Sequence, residues 1–154
     1  MSKGKKTELF ESLMREIRRF IANAVLFNQQ LADQLGVNAT DYQVLNLIDL
    51  RGQATPGELA QLTGLTTGGV TVALDRLEKA GFAKRERNPH DRRSVIVRPV
   101  PAKMRRIFAL YEPIIAAMQR GVSVYDEREL ATIVDFFERS NASRPPIAGR
   151  GQTT

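Results

Sequence analysis

The chain has 154 residues, 42% of them hydrophobic, a composition that excludes an intrinsically disordered protein and predicts one compact domain with extensions. It contains no cysteine, which excludes disulfides, cysteine-based redox sensing and cysteine-ligated zinc. Its net charge of +6 favours a polyanionic partner, and because no apolar run approaches about 18 residues and no apolar signal core follows the start, we expect a cytoplasmic protein without a membrane span.

Two helices are predicted at the start of the chain. Apolar residues at steps of three and four give one face of a long helix from about residue 7 to 35, and Gly36 suits the position just after its end. The segment TDYQVLNLIDL is mostly apolar and predicts a second helix in the centre of the core. We expect Thr40 or Asp41 to cap its start.

Two shorter helices follow and predict a helix-turn-helix unit. Thr55 and Glu58 have the spacing of a capping box, with Pro56 at the first position of a two-turn helix. Thr66 is a suitable N-cap for the next helix, which ends at Gly81. This fourth helix is the candidate recognition helix, whose N-terminal residues would meet base edges in the major groove of DNA.

The hydrophobic period then changes from helical to strand-like. FAKRE and SVIVRPV predict two short strands, and the intervening RNPHDRR has turn-forming residues, so this segment predicts a β-hairpin with a basic tip. From Lys84 to Arg106 there are nine basic and two acidic residues, a local charge of +7. A hairpin after a recognition helix is a wing, and its arginines can follow the DNA backbone or enter a minor groove. The alternative is a basic face that is merely solvated.

Two more helices complete the predicted order of four helices, a hairpin and two helices. The fifth helix covers about residues 102 to 120, and Pro113 inside it predicts a kink. The last begins near Asp126, which forms a capping pattern with Glu129. The Pro- and Gly-rich tail, residues 143–154, is predicted to be disordered.

Small polar residues on the outward side of the recognition helix suit close approach to DNA. Threonine hydroxyls bond phosphates or bases, the threonine methyl can touch thymine, and the helix N-terminus can bind a phosphate. The alternative is that TTGG only caps the helix and permits a tight crossing. In the wing, Arg92 and Arg93 are the best minor-groove candidates, and Arg85, Arg87 and His90 are candidate phosphate neighbours. We expect Asp91 to hold an adjacent arginine by a charge-assisted hydrogen bond.

The run from Gly64 to Val100 resembles the MarR family of bacterial transcription regulators. The resemblance is carried by VTVALDRLEKAGFAKR, by DRRS in the wing and by the order of the helices, and it extends over about residues 7 to 142. It implies a mainly α winged helix-turn-helix homodimer that binds palindromic operators in double-stranded DNA. It maps the wing aspartate and arginine of the family onto Asp91 and Arg93. Its recognition-helix contacts map onto Thr66, Thr67, Gly69, Thr71 and Arg76.

The sequence departs from the family pattern at two places. Val72 stands where many relatives have a longer polar or basic side chain, which removes a possible contact to a base or phosphate. RPV follows the wing where relatives usually have a leucine-threonine pair. The second departure concerns how the fifth helix is joined rather than the fold.

The resemblance divides the chain into dimerisation helices, residues 1–35 and 102–142, and a winged helix-turn-helix unit, residues 36–101. Large apolar groups in the terminal helices support a dimer independently: Phe10, Phe20, Phe27, Phe136 and Phe137. The leading hypothesis is a repressor released by a small phenolic or aromatic ligand, with no cofactor and no assigned ligand residues. Residues that could contribute to such a pocket are Arg15, Arg18, Arg19, Phe27, Tyr42 and Tyr111.

Other functional classes stay open at the level of sequence. A winged helix without an effector, acting as an architectural or protein-interaction module, is the main alternative. An enzyme is disfavoured because the chain has no P-loop, no HExxH and no G-x-S-x-G. Metal sensing is disfavoured because His90 is the only histidine.

Overall fold

The computed structural model describes residues 3–89, 91 and 93–143, and within these it contains six helices and one two-stranded hairpin. His90, Arg92 and the tail from residue 144 lie outside the described residues, so the predictions made for them have no structural counterpart. In chain order the elements are α1 (Lys3–Leu35), α2 (Ala39–Arg51), α3 (Pro56–Thr63), α4 (Thr67–Lys79), β1 (Ala83–Arg87), β2 (Val95–Pro99), α5 (Pro101–Val122) and α6 (Glu127–Ala142). The predicted fold class and element order are confirmed.

The starts of α3 and α4 follow from their predicted caps. The Thr55 hydroxyl accepts a hydrogen bond from the Glu58 N–H at 3.2 Å, and the Glu58 carboxylate accepts one from the Thr55 N–H at 2.7 Å. The Thr66 hydroxyl accepts from the Gly69 N–H at 3.1 Å. These bonds satisfy N–H groups that have no partner inside the helix, and they fix where each helix begins.

The predicted cap of α2 was wrong. Asn38, two or three residues earlier than expected, is the N-cap, and its side-chain oxygen accepts from the Asp41 N–H at 2.8 Å. Asp41 therefore lies inside the first turn of α2, where its side chain is almost completely buried. Asn38 is favoured as the cap because its side-chain amide both accepts and donates. Its oxygen accepts from the Asp41 N–H, and its NH₂ group donates to the Asp41 carboxylate at 2.9 Å.

The hydrophobic core lies between the end of α1, helices α2 to α4, the base of the hairpin and the start of α5. Its largest fully buried side chains include Tyr42, Leu31, Leu45, Ile48, Leu59, Leu74, Leu77 and Ile107. Val70, Ala73, Leu74 and Leu77 of α4 are buried, as the predicted stripe requires. The core therefore fixes which side of α4 is left facing solvent.

The hairpin is anchored to the helices at its base. Its strands are antiparallel, with Arg85 opposite Val97. Ala54, just before α3, forms two backbone hydrogen bonds with Val97, at 3.1 and 2.8 Å. Ile96 and Val97 are buried, so β2 joins the core while the tip extends beyond it.

The terminal helices leave many apolar side chains uncovered. Leu9, Phe10, Phe20 and Ile21 of α1 are all more than 50% exposed, and none of the residues of α6 is buried. Pro113 lies inside α5, which continues to Val122, so the proline does not end the helix; the kink there stays a prediction. None of the helices in the described part of the chain has the length and apolarity needed to cross a membrane.

Candidate nucleic-acid interface

Helices α3 and α4 form a compact helix-turn-helix. Gly64 ends α3 in the left-handed conformation with φ 72°, which a side chain would disfavour, and its N–H donates to the Ala60 carbonyl at 3.0 Å. The Thr63 hydroxyl donates to the Leu59 carbonyl at 2.6 Å and accepts from the Leu65 N–H at 3.2 Å. The turn is thus held by short local bonds that set the angle between the two helices.

The start of α4 presents the predicted residues to solvent, with one exception. Thr66, Thr67 and Thr71 are exposed, whereas Gly69 is partly buried. A Cβ added at Gly69 would lie 3.3 Å from the Thr66 hydroxyl oxygen, so this glycine makes room for the cap. Val72 is 50% exposed on the same helix. The helix face that sequence analysis assigned to DNA is therefore accessible.

Arg76 is also exposed at the surface, but its guanidinium is paired to the protein. Its Nε and Nη2 donate to the two carboxylate oxygens of Asp41, each at 2.7 Å. The hydrogen bonds that Arg76 donates to Asp41, together with the negative charge of Asp41, raise the pKa of Arg76 above its ordinary value. This bidentate interaction joins α4 to the start of α2 and fixes the orientation of α4 on the core.

Arg85 of β1 connects the wing to α4. Its guanidinium forms ion pairs with Glu78 and with Asp75, the latter at 2.7 Å, and it donates to the Thr71 carbonyl at 3.3 Å. Its backbone N–H donates to Glu78 at 2.7 Å. Because Thr71 and Asp75 lie on the exposed side of α4, these contacts place the wing beside the candidate DNA-reading face.

The wing tip is organised by Asp91 and Ser94. The Asp91 carboxylate accepts from the backbone N–H of Arg93 at 3.0 Å, and the Asp91 carbonyl accepts from the N–H and hydroxyl of Ser94 at 3.0 and 3.1 Å. Asn88 donates to the Ser94 hydroxyl at 2.9 Å. Asp91 thus holds Arg93 through the backbone N–H. The expected bond from Asp91 to an adjacent guanidinium is not formed by Arg93. The other adjacent arginine, Arg92, lies outside the described residues.

The cations of the wing differ in how they are paired. Lys84 and Arg98 stand opposite each other on the strands and flank Glu86, at 2.5 and 3.3 Å. The hydrogen bond from Lys84, with help from the charge of Arg98, lowers the pKa of Glu86. In the described part of the chain, the exposed side chains of Arg87 and Arg93 form no ion pair, which leaves them available to an anion.

The acidic partners of Arg76 and Arg85 were missed by sequence analysis. Asp41 and Arg76 are separated by 35 positions, and the spacing between Glu78 and Arg85 spans a helix end and a turn. No local periodicity connects such pairs. The one available signal was an acidic residue at the start of a mostly apolar, central helix.

A separate cavity of about 410 Å³ lies between α2 and α5. Its lining is mostly apolar, with four polar members, and comprises Gln43, Asn46, Leu47, Asp49, Leu50, Met104, Ile107, Phe108, Tyr111 and Ile115. Of the six pocket residues suggested by sequence, only Tyr111 lines it. Tyr42 shares a 2.6 Å hydroxyl–hydroxyl hydrogen bond with Tyr111, and Phe27 packs edge-on against Tyr111 at 5.2 Å between ring centres. The three arginines of α1 do not belong to the lining.

Burial and the hydrogen bond to Tyr111 change the ionisation of the Tyr42 hydroxyl. Burial, followed by the hydrogen bond to Tyr111, raises the pKa of the Tyr42 hydroxyl well above its ordinary value. The Tyr42 hydroxyl is therefore neutral at physiological pH, and its hydrogen bond to Tyr111 joins α2 to α5.

Comparison with known proteins places this architecture in a family. The MarR family model matches residues 35–94. The uncharacterized HTH-type transcriptional regulator YcgE of Bacillus subtilis is 36% identical over 139 residues, which cover 90% of each chain. The chain belongs to the MarR family. A second relative in this family, the multiple antibiotic resistance protein MarR of Salmonella typhimurium, is 38% identical over 76 residues, 49% of this chain and 52% of that protein.

Solved structures agree with this MarR-family assignment at the level of fold. The transcriptional regulator Tm0710 of Thermotoga maritima has a TM-score of 0.61 at 23% identity, covering 88% of this chain and 93% of its own. A mutant MarR of E. coli, solved in complex with operator DNA, has a TM-score of 0.53 at 23% identity, covering 83% and 92%. This MarR-family chain is accordingly a winged helix-turn-helix transcriptional regulator.

Proposed function

We propose that this protein is a homodimeric, sequence-specific regulator that places α4 in the major groove of double-stranded DNA and lays the wing along the neighbouring backbone. The single observation that carries the proposal is the bridge from Arg85 to Thr71 and Asp75, which fixes the wing beside the exposed face of α4. A recognition helix and a wing must move as one unit if both are to contact the same duplex.

The distribution of charge supports the same arrangement. The segment from Lys84 to Arg106 carries a charge of +7, while the remainder of the chain sums to −1. Arg87 and Arg93 are exposed on the wing and have no acidic partner among the described residues. Such cations replace the counterions of DNA phosphates and supply affinity that depends on salt. One of the similar structures, E. coli MarR, is a complex with operator DNA.

The test begins by selecting bound sequences from random DNA, followed by a salt titration of affinity for the selected duplex. We expect a palindromic site and a steep loss of affinity with salt. Arg93→Ala should weaken binding and flatten the salt slope while leaving the dimer intact. Arg139→Ala, which removes an equal charge from exposed α6, is the matched control and should bind as the parent does. A shallow slope in the parent, with no preferred sequence, would instead indicate a protein-contact module.

We further propose that the protein is a repressor released by a small uncharged aromatic ligand bound in the α2–α5 cavity. Among the residues that the structure describes, no lysine or arginine lines this cavity, and Asp49 contributes a carboxylate to it. A phenol therefore fits better than an aromatic carboxylate, whose charge would lose solvation without gaining a partner. The Tyr42–Tyr111 bond joins the two helices that form the cavity, so an occupant that moves Tyr111 also acts on α2.

Ligand selectivity tests this assignment. A neutral phenol should raise the melting temperature and weaken DNA binding, whereas benzoate at neutral pH should do neither. Asp49→Asn removes the carboxylate that repels benzoate. It should therefore reduce the difference between the melting-temperature shifts produced by the phenol and by benzoate. Stronger stabilisation of the parent by benzoate than by the phenol would contradict the cavity assignment, and it would leave the DNA-binding proposal intact.

A further inference from the structure

The exposed face of α4 offers DNA an unusual chemistry at its centre. Val72 is 50% exposed although its neighbours Val70, Ala73 and Leu74 are fully buried, so its two methyl groups point away from the core. Thr67 and Thr71 lie one turn apart on the exposed side of the helix. No long polar side chain occupies this part of the helix.

The polar groups near Val72 are already engaged within the protein. The Thr71 hydroxyl donates to the Thr67 carbonyl at 3.0 Å, so its proton is used and its methyl group remains. Asp75 is paired with Arg85 at 2.7 Å, and Arg76 is held by Asp41. Among the described residues of α4, the long polar side chain left without such a partner is Lys79, two turns beyond Val72.

The major groove presents one apolar group on its base edges, the C5-methyl of thymine. Side-chain methyl groups recognise it by van der Waals contact, while hydrogen-bonding side chains recognise guanine, adenine and cytosine. A helix that offers methyl groups and few free donors at its centre therefore selects thymine there. This step rests on the proposed function, namely that α4 enters the major groove.

We propose that Val72 is a specificity-determining residue that reads a thymine C5-methyl in each half-site, with the Thr71 methyl contacting the same or the adjacent thymine. Valine at this position thus replaces a polar contact with an apolar one. At the base pair that faces Val72, each half-site is therefore recognised through methyl contacts rather than through hydrogen bonds.

The experiment uses the full chain and the duplex selected from random DNA. Each thymine of one half-site is replaced singly by deoxyuridine, which removes the C5-methyl and keeps every hydrogen-bonding group. We expect the affinity of the parent to fall about four-fold at one or two positions, the equivalent of one buried methyl group. Dissociation constants are measured by fluorescence anisotropy at fixed salt.

Variants then assign the effect to side chains. Val72→Ala should bind the thymine duplex about four-fold more weakly and should show no further loss on the uracil duplex at the affected position. Thr71→Ser removes only a methyl and keeps the hydroxyl that donates to Thr67. Lys79→Ala is the control and should weaken binding to both duplexes equally. Because Val72 and Thr71 are exposed, all variants should fold, and circular dichroism verifies this.

The possible outcomes separate this inference from the proposed function. If the parent selects a specific site and yet binds every uracil duplex as tightly as the thymine duplex, the thymine-methyl proposal is wrong and DNA recognition stands. Retention of full uracil sensitivity by Val72→Ala would also overturn it. If the parent binds no DNA sequence at all, the proposed function fails and the inference fails with it.

Discussion

Arg76 and Arg85 have structural partners that alter the roles expected of them as DNA contacts. Arg76 donates two 2.7 Å bonds to the buried Asp41 carboxylate, and Arg85 contacts Glu78, Asp75 and the Thr71 carbonyl. A guanidinium has five N–H groups, so each can hold the fold and still offer a donor outward. The primary effect of both arginines is to fix the position of α4, and their part in DNA contact stays a prediction.

Arg76→Ala should destabilise the fold because it leaves the carboxylate of Asp41 buried without its cation. We expect the melting temperature to fall by about 5 °C, from the usual cost of an unpaired buried charged acceptor. Arg87→Ala changes the net charge equally at an exposed site without an ion pair, so it should leave the melting temperature unchanged. Equal melting temperatures for the two variants would show that the Asp41 bond adds nothing to stability.

We expect Glu58 to make the free energy of unfolding depend on pH in the acidic range. The hydrogen bond from the Thr55 N–H lowers the pKa of Glu58 below its ordinary 4.5. Its stabilisation is therefore complete above that ordinary value and is lost as the pH falls through the lower folded-state pKa. Because the side chain is about half exposed, we expect Glu58→Gln to cost only about 0.5 kcal/mol at pH 7 and less at about pH 3.

Chemical denaturation at the two pH values measures this difference. Glu11→Gln, an exposed change on α1, is the control and should have no effect at either pH. A Glu58→Gln cost that is the same at both pH values would mean that the capping carboxylate is not the titrating group.

At the scale of elements, the wing is attached to the helix-turn-helix unit at two points. Ala54 pairs with Val97 at its base, and Arg85 ties β1 to α4 along its side. Beyond these points the tip depends on its own bonds, chiefly those of Asp91 and Ser94. The base thus moves with the helix-turn-helix, while the shape of the tip is set locally.

Two acidic residues of the wing should have opposite effects on DNA affinity when they are removed. Asp91→Ala adds net positive charge, yet we expect operator binding to weaken about five-fold because the tip loses the bond that positions Arg93. Glu86→Gln adds the same charge but frees Lys84 and Arg98, so it should strengthen non-specific binding. Anisotropy titrations with operator and random duplexes measure both. If Asp91→Ala bound the operator more tightly, Asp91 would affect binding only through its negative charge and not by positioning Arg93.

At the scale of the whole molecule, the terminal helices carry more apolar surface than one copy covers. A cavity of about 600 Å³ between α1 and α6 is lined mainly by apolar side chains: Leu13, Met14, Ile17, Phe20, Ile21, Phe136 and Phe137. Continuous exposed apolar surface of this kind marks an interface. It supports the proposed homodimer, in which two recognition helices would stand about one DNA turn apart.

Phe137→Glu should convert the protein to a monomer, because it places a charge among the apolar groups of α6. Thr132→Glu introduces the same charge on the opposite face of that helix and should remain dimeric. Sedimentation velocity measures the mass of each variant. Operator affinity should fall about 100-fold in the monomer, since the second half-site is no longer linked to the first. A dimeric Phe137→Glu variant would remove α6 from the proposed interface.

The sequence by itself determined the elements and their order, because caps, hydrophobic period and turn residues are local signals. Thr55, Thr66 and Asp126 cap their helices as predicted, and the basic hairpin follows α4. Tertiary structure alone decided which charges are paired between different elements. Asp41 meets Arg76 and Glu78 meets Arg85 only after α2, α4 and β1 have packed together, and no periodic pattern records distances across folded elements.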